Sequence, residues 1–272
     1  TVARIAPVDS EARYRALGVR VVKAQARFID ERTIVATGQR IRARRFVIAT
    51  GARPVIPAIA GLADGPYLTS DSIFTLDRLP QRLAIIGAGR IAAELGQAFR
   101  RLGCAVALVD PAGLLPGEDA DARHALRAAL LAEGVELFEG RSILHVEYGE
   151  VGGRLLLAGT PVEVWPFDRV LVAAGSQPDV SDLGLDKAGV AASERGIAVS
   201  GPCRTSNRRI YAIGDCTGGA GSTHAAADQA GVVLRHALFR LPGRHDAAKV
   251  PRVVYTDPEI ASVGLGEAEA RA

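Results

Sequence analysis

The 272-residue chain contains no methionine, only one tryptophan, and lysine at just three positions, Lys23, Lys187 and Lys249. Arginine therefore supplies most of the positive charge, and the net charge is only +3. No basic block interleaved with aromatics occurs, which argues against a nucleic-acid partner. No apolar run approaches the roughly 18 residues of a membrane span. The three cysteines, Cys104, Cys203 and Cys216, show neither CxxC nor CxxxxC spacing, so no metal site and no local redox pair is expected. Each reads as a packing or incidental residue. A chain that starts at Thr1, lacks methionine and stops within an incipient helix (266–272) reads as part of a longer protein. The expected location is cytoplasmic.

What remains is an ordinary globular composition, 48% apolar and 23% charged, so the information lies in the order of residues. The stretch Leu83-Ala84-Ile85-Ile86-Gly87-Ala88-Gly89-Arg90-Ile91-Ala92 reads as a buried strand, a glycine turn and a helix start. Glycines allow a tight turn and close backbone approach, and the unpaired amides of a helix start favour an anion such as a pyrophosphate. The third position of the fingerprint is Ala92, giving GxGxxA, and such a match alone is weak. The surroundings strengthen it. An amphipathic helix follows, ended by Gly103, and then the strand Ala105–Val109 ends at Asp110, 23 positions after Gly87. An acid about 20 residues beyond the first glycine suits the ribose hydroxyls of an adenine dinucleotide. Asp110 would repel a 2′-phosphate, which favours NAD over NADP; a strand-end turn before Pro111 is the competing reading.

Other strands share this form. Phe46–Ala49 ends in Gly51, Val170–Ala174 in Gly175, and Ile210–Ile213 in Gly214-Asp215. Continuous apolar runs of this kind suit parallel strands covered on both faces, and ligands of open α/β sheets bind beyond the carboxyl ends of strands. Gly51 and Gly214-Asp215, far from the GxGxxA unit, suggest a second nucleotide-binding sheet interrupted by the first. Residues 1–45, including a strand at Val19–Val22, read as a small antiparallel meander with a solvated face at Arg40, Arg42, Arg44 and Arg45. Runs around Ile143–Glu147 and Arg154–Leu157 read as an antiparallel excursion.

With these motifs in order, the chain resembles the pyridine nucleotide–disulfide oxidoreductases, the flavoproteins that include dihydrolipoamide dehydrogenase, glutathione reductase and mercuric reductase. The matching stretches are Ala49-Thr50-Gly51-Ala52-Arg53-Pro54, Thr69-Ser70-Asp71, Gly87 to Gly96, Ala173-Ala174-Gly175-Ser176-Gln177-Pro178, Thr205 to Asp215, and Tyr255 to Gly264. Residues 5–10 and 223–226 look nearest to the mercuric reductase branch, whose members mostly use NADPH, against the charge argument from Asp110.

The resemblance implies an α/β architecture of two Rossmann-like domains. Residues 1–78 and 179–248 would form an FAD domain, 79–178 an inserted NAD(P) domain, and 249–272 the start of a dimer-forming interface domain. It implies FAD and NAD(P) as cofactors, a homodimeric parent, and a small-molecule or dithiol substrate. Gly87, Gly89, Arg90, Ala92 and Gly175 would serve the nicotinamide nucleotide, and Gly51, Gly214, Asp215, Thr223 and His224 the flavin, with Asp215 on a ribityl hydroxyl. Glu94 would lie beside the nicotinamide as the catalytic-site acid, against the simpler reading of a helix-start acid favoured by the dipole. Arg53 and Gln177 are further candidates for cofactor contact. His124, His145, His236 and His245 receive no chemistry. The family's first FAD glycine motif, its redox cysteine pair and its dimer-donated His-Glu pair would lie outside these residues. A nucleotide-binding redox sensor or degenerate paralogue without dithiol chemistry, or a related NADH oxidase or flavin reductase, is the alternative.

Overall fold

A computed structural model describes residues 6–219 and 221–271. Ser10 accepts the amide hydrogen of Arg13 and so starts a short helix, α1 (Glu11–Ala16), in a stretch whose residues look strand-like. The expected strand at Val19–Val22 does not form. Val19 and Val22 are exposed with no neighbouring strand among the described residues to pair them, and an extended segment without a ladder partner or a buried face has nothing to hold it. The meander begins later, as β1 (Ala26–Asp30), β2 (Thr33–Ala36) and β3 (Gln39–Arg42), all antiparallel. Thr37 and Gly38 close the second hairpin, both at positive φ, as a tight two-residue loop requires. The arginines at 40, 42, 44 and 45 are solvent-exposed, as expected.

β4 (Phe46–Ile48) and β5 (Ala52–Pro54) lead to the largest sheet. It is built from β6 (Arg82–Ile86), α2 (Arg90–Arg101), β7 (Ala105–Asp110), α3 (Ala120–Ala132) and β8 (Glu136–Glu139). After an antiparallel sheet of β9 (Ile143–Tyr148), β10 (Gly153–Leu157) and β11 (Glu163–Phe167), the chain returns as β12 (Arg169–Val172). The four parallel strands lie in the order β12-β6-β7-β8. Alternation along β6 explains its unbroken apolar run. Leu83 and Ile85 share one core with Ala92, Ala93, Leu126 and Leu130 of the helices. Ala84 and Ile86 share another with Val146, Leu155 and Trp165 of the antiparallel sheet. Burial of each large aliphatic side chain here contributes about 1.5–3 kcal/mol. The excursion expected from two strands has a third, β11. Its Pro166 and its exposed Val164, with the exposed Val162 just before it, hide the alternation in the sequence.

β13 (Ser176–Pro178) pairs antiparallel with β5. The short hairpin β14 (Ala192–Ser193) and β15 (Gly196–Ile197) follows, and then β16 (Ile210–Ala212) runs parallel to β4, with Ile210 opposite Phe46. Two strands far apart in the chain thus form a second parallel pair, with the first sheet inserted between them in sequence. Helix α4 (Thr223–Phe239) covers it, Val232 and Val233 packing on Tyr211. The chain finishes with the hairpin β17 (Arg252–Val254) and β18 (Ile260–Ser262) and a last turn, α5 (Glu267–Arg271). Val254 and Ile260 join the helix-side core of the large sheet. Among the described residues no helix is long and apolar enough to cross a membrane.

Candidate functional site

The turn after β6 requires glycine at its first position. Gly87 has φ +116°, and a Cβ there would lie 2.3 Å from the carbonyl oxygen of Ala173. Its amide donates to the Val109 carbonyl (2.8 Å), tying the turn to β7. Asp110 braces the next residue: Oδ2 accepts the Ala88 amide hydrogen (2.9 Å) while Oδ1 accepts that of Ala112 (2.7 Å). Gly89 begins α2 with no side-chain cap, and no atom lies within 4 Å of where its Cβ would be. The start of α2 is thus bare, as a helix start that receives an anion must be. Ala92 is fully buried on the sheet side of α2. Helix and sheet approach closely at Gly96, where a Cβ would meet Leu108 Cδ1 at 2.8 Å. Close packing, usually the task of the fingerprint's third glycine, falls one turn later here. Gly175 after β12 and Gly51 after β4 also adopt positive φ and border open space.

Between the two parallel sheets lies a cleft of about 520 Å³. Gly51 and Gly214-Asp215 reach it from the ends of β4 and β16, Arg90 and Glu94 from α2, and Thr223-His224 from the start of α4. Of the expected residues, Gly87, Gly89, Ala92, Asp110 and Gly175 do not line it; they gather at the carboxyl ends of β6, β7 and β12. Gly214 has φ +72°, and its amide donates to Gln229 Oε1 (2.6 Å). The Asp215 carboxylate has no hydrogen-bond partner among the described residues. Ser222 caps α4 by accepting the Ala225 amide hydrogen (3.0 Å), and Thr223 and His224 are exposed at the positive end of this 17-residue helix.

Two expected site residues have protein partners. Glu94 Oε1 accepts the amide hydrogen of Tyr255 (3.0 Å). The Arg90 guanidinium donates to the carbonyl of Gly221, bridging the glycine-turn helix to the loop before α4. Arg53 and Gln177 face each other across the β5–β13 pair and do not line the cleft. His236 and His245, taken as solvated or linker residues, both have partners: His236 Nδ1 lies 2.9 Å from the Tyr211 hydroxyl and His245 Nδ1 lies 2.6 Å from Asp228 Oδ2.

All three cysteines are buried. Cys216 donates to the Ile213 carbonyl (3.2 Å) as a packing residue. Burial pushes the Cys104 and Cys203 thiols up to about 11, and Cys216 shifts upward for the same reason. None is a ready nucleophile.

Sequence reasoning missed Tyr255 as a cleft residue and Gln97 and Gln229 as buried polar supports. One signal was available: Glu94, Gln97 and Arg101 recur at i, i+3 and i+7, a polar stripe on a helix whose other side is apolar.

A match to the model of the pyridine nucleotide-disulphide oxidoreductases extends over residues 7–230. The mercuric reductase of Staphylococcus aureus is 39% identical over 264 residues, covering 93% of this chain and 47% of its own length. The dihydrolipoyl dehydrogenase of Thermus scotoductus is 35% identical over 263 residues, covering 93% and 56%. Among solved structures, LpdA from Mycobacterium tuberculosis superposes with a TM-score of 0.86 at 30% identity, covering 98% of this chain and 61% of that one. The HOCl-induced flavoprotein disulfide reductase RclA from Escherichia coli gives 0.84 at 29%, covering 93% and 58%. The chain spans about half the length of the curated relatives it matches. The two parallel sheets, the braced glycine turn and these similarities together place the chain in the pyridine nucleotide–disulphide oxidoreductase family.

Proposed function

We propose that these residues form the nucleotide-handling part of an FAD-dependent NAD(P)H oxidoreductase of the disulfide reductase type. The observation that carries the reading is the cleft, where the ends of β4 and β16, the face of α2 and the start of α4 converge. The bare glycines Gly51, Gly89 and Gly175 leave room for ligand where a Cβ would stand, and the Asp215 carboxylate has no hydrogen-bond partner among the described residues. The residues present therefore fit both nucleotides. When bound, nicotinamide and flavin supply the hydride chemistry.

The chain's own groups bind and orient. Gly87, Gly89 and the first amides of α2 hold the pyrophosphate of the nicotinamide nucleotide. Asp110 spends one lone pair per carboxylate oxygen on its own backbone and keeps others for ribose hydroxyls. Residues 111–117 contain no lysine or arginine, so a 2′-phosphate would meet an uncompensated carboxylate; NAD is the favoured cofactor. Gly51, Gly214 and Asp215 hold the flavin nucleotide, Asp215 accepting from a hydroxyl. Thr223 and His224 present the positive end of α4, which stabilises negative charge in the cleft. Glu94 stands at the nicotinamide end.

In this assignment residues 1–78 and 179–248 serve FAD, 79–178 serve NAD, and 249–272 open an interface segment. The parent acts as a homodimer on a small-molecule or dithiol substrate. No thiol in this chain is suited to dithiol exchange, so that step belongs to other residues.

Titration with NADH, NADPH and FAD tests the reading. NADH should bind at least tenfold more tightly than NADPH, and Asp215→Ala should weaken FAD alone. Equal or stronger NADPH binding would overturn the cofactor choice, and no nucleotide binding would overturn the function.

A further inference from the structure

Gln97 is buried, 3% exposed, and both ends of its amide are engaged by one residue 160 positions away. Nε2 donates to the Asp257 carbonyl (2.7 Å) and Oε1 accepts the Asp257 amide hydrogen (2.7 Å). Nε2 also donates to Glu133 Oε1 (2.9 Å), which fixes the orientation of the amide. One turn before, Glu94 accepts the Tyr255 amide hydrogen; one turn after, Arg101 grips Glu133 through two bonds (2.6 and 3.0 Å) and Asp257 Oδ2 through a third (2.8 Å). Three side chains on one stripe of α2 thus hold the 255–257 segment: Glu94 and Gln97 grip its main chain, and Arg101 grips the Asp257 carboxylate. Tyr255 is left 62% exposed and lines the cleft together with Glu94 and His224.

We propose that Gln97 is a positioning residue that seats the 255–257 segment on the glycine-turn helix and so makes Tyr255 a fixed wall for the nicotinamide ring. The inference rests on reading the cleft as the nicotinamide site. The same rigid helix offers its start to the pyrophosphate and its flank to Tyr255, so the two contacts keep one spacing. A merely structural clamp would affect the whole nucleotide or none of it, whereas a wall affects only its nicotinamide end.

The test compares NADH with ADP-ribose, which lacks the nicotinamide ring, and adds amide hydrogen exchange over residues 252–262. Gln97→Met keeps the volume and removes every bond. Exchange at Tyr255 and Asp257 should quicken, NADH affinity should fall about tenfold, and ADP-ribose affinity should stay within about twofold. Unchanged NADH affinity despite faster exchange, or equal losses for both ligands, overturns the proposal. Tyr255→Ala removes an exposed ring and leaves the bonds to Gln97 in place; it should weaken NADH alone even if Gln97→Met does not fold, and an unchanged NADH affinity would overturn the wall. Wild-type protein that binds ADP-ribose but gains nothing from nicotinamide also sinks the wall. If the wild type binds neither ligand, it is the cofactor reading itself that fails.

Discussion

Asp110 and Ala88 are joined by a 2.9 Å hydrogen bond from the main-chain amide of the glycine turn to the carboxylate at the end of the next strand. The residue proposed to select the cofactor therefore also shapes the turn proposed to bind it. Asp110→Asn keeps an acceptor oxygen but loses the charge. It should shift preference toward NADPH at least tenfold, at a stability cost of no more than about 2 kcal/mol. Paired NADH and NADPH titrations with thermal melts check this, and an unmoved preference would place the selectivity elsewhere.

The two glycines of the turn should respond in opposite ways. Gly87→Ala forces a side chain into φ +116° and against the Ala173 carbonyl at 2.3 Å, a combination costing about 3 kcal/mol or more. Gly89→Ala occupies open space at φ −73° and should cost less than about 1 kcal/mol. It should still weaken dinucleotide binding, because its methyl group stands where the pyrophosphate approaches. Melting curves and NADH titrations on the two variants separate the fold from the site.

Glu139 links the loop after β7 to α3. Its Oε1 accepts the Leu114 amide hydrogen (2.8 Å) and its carboxylate receives two bonds from Arg127. The Arg127 guanidinium, outweighing burial and helped by the Leu114 amide, holds the carboxyl below the usual range. Stabilisation from a depressed carboxyl is complete above the unfolded value of about 4.3 and disappears as pH falls through the folded value. The Tm difference between wild type and Glu139→Gln should therefore be constant from neutral pH to about pH 5 and shrink below it. A gap that widens in acid would contradict this assignment.

Thiol chemistry offers a direct count. With Cys104, Cys203 and Cys216 buried and their thiols shifted upward, the folded protein at pH 8 should react slowly or not at all with a disulfide reagent. All three thiols should titrate after denaturation. Rapid modification of one thiol in the native state would reveal an opening that this fold does not show.

The legible parts of this molecule are those in which one stretch announces its own environment. β6, β7, β12 and β16 are read from unbroken apolar runs because both faces are covered, whereas β4 leaves Val47 exposed, and the terminal glycines and acids of these strands mark the proposed ligand sites. The sequence marks Asp110 as a strand-end acid proposed to accept from a ribose, but its bonds to Ala88 and Ala112 are not legible, since any residue can present a main-chain amide. Gln97 is silent for the same reason: its partner is the backbone of Asp257, 160 residues away. Val19–Val22 shows the converse. Its residues favour a strand, yet no neighbour among the described residues pairs with it.

The seat of Val254 and Ile260 in the core beneath Leu83 and Ile85 bears on how the protein can be dissected. An excision following the strand pattern, residues 79–178, would uncover that apolar surface. It would also replace the Asp257 partners of the Gln97 amide with water. A piece that keeps both cores closed is accordingly discontinuous, 59–178 together with the 250–262 hairpin, since Leu62 and Ile73 are buried in the same cores and Leu68 bonds to β12; a single-chain version would need the hairpin grafted on through a linker.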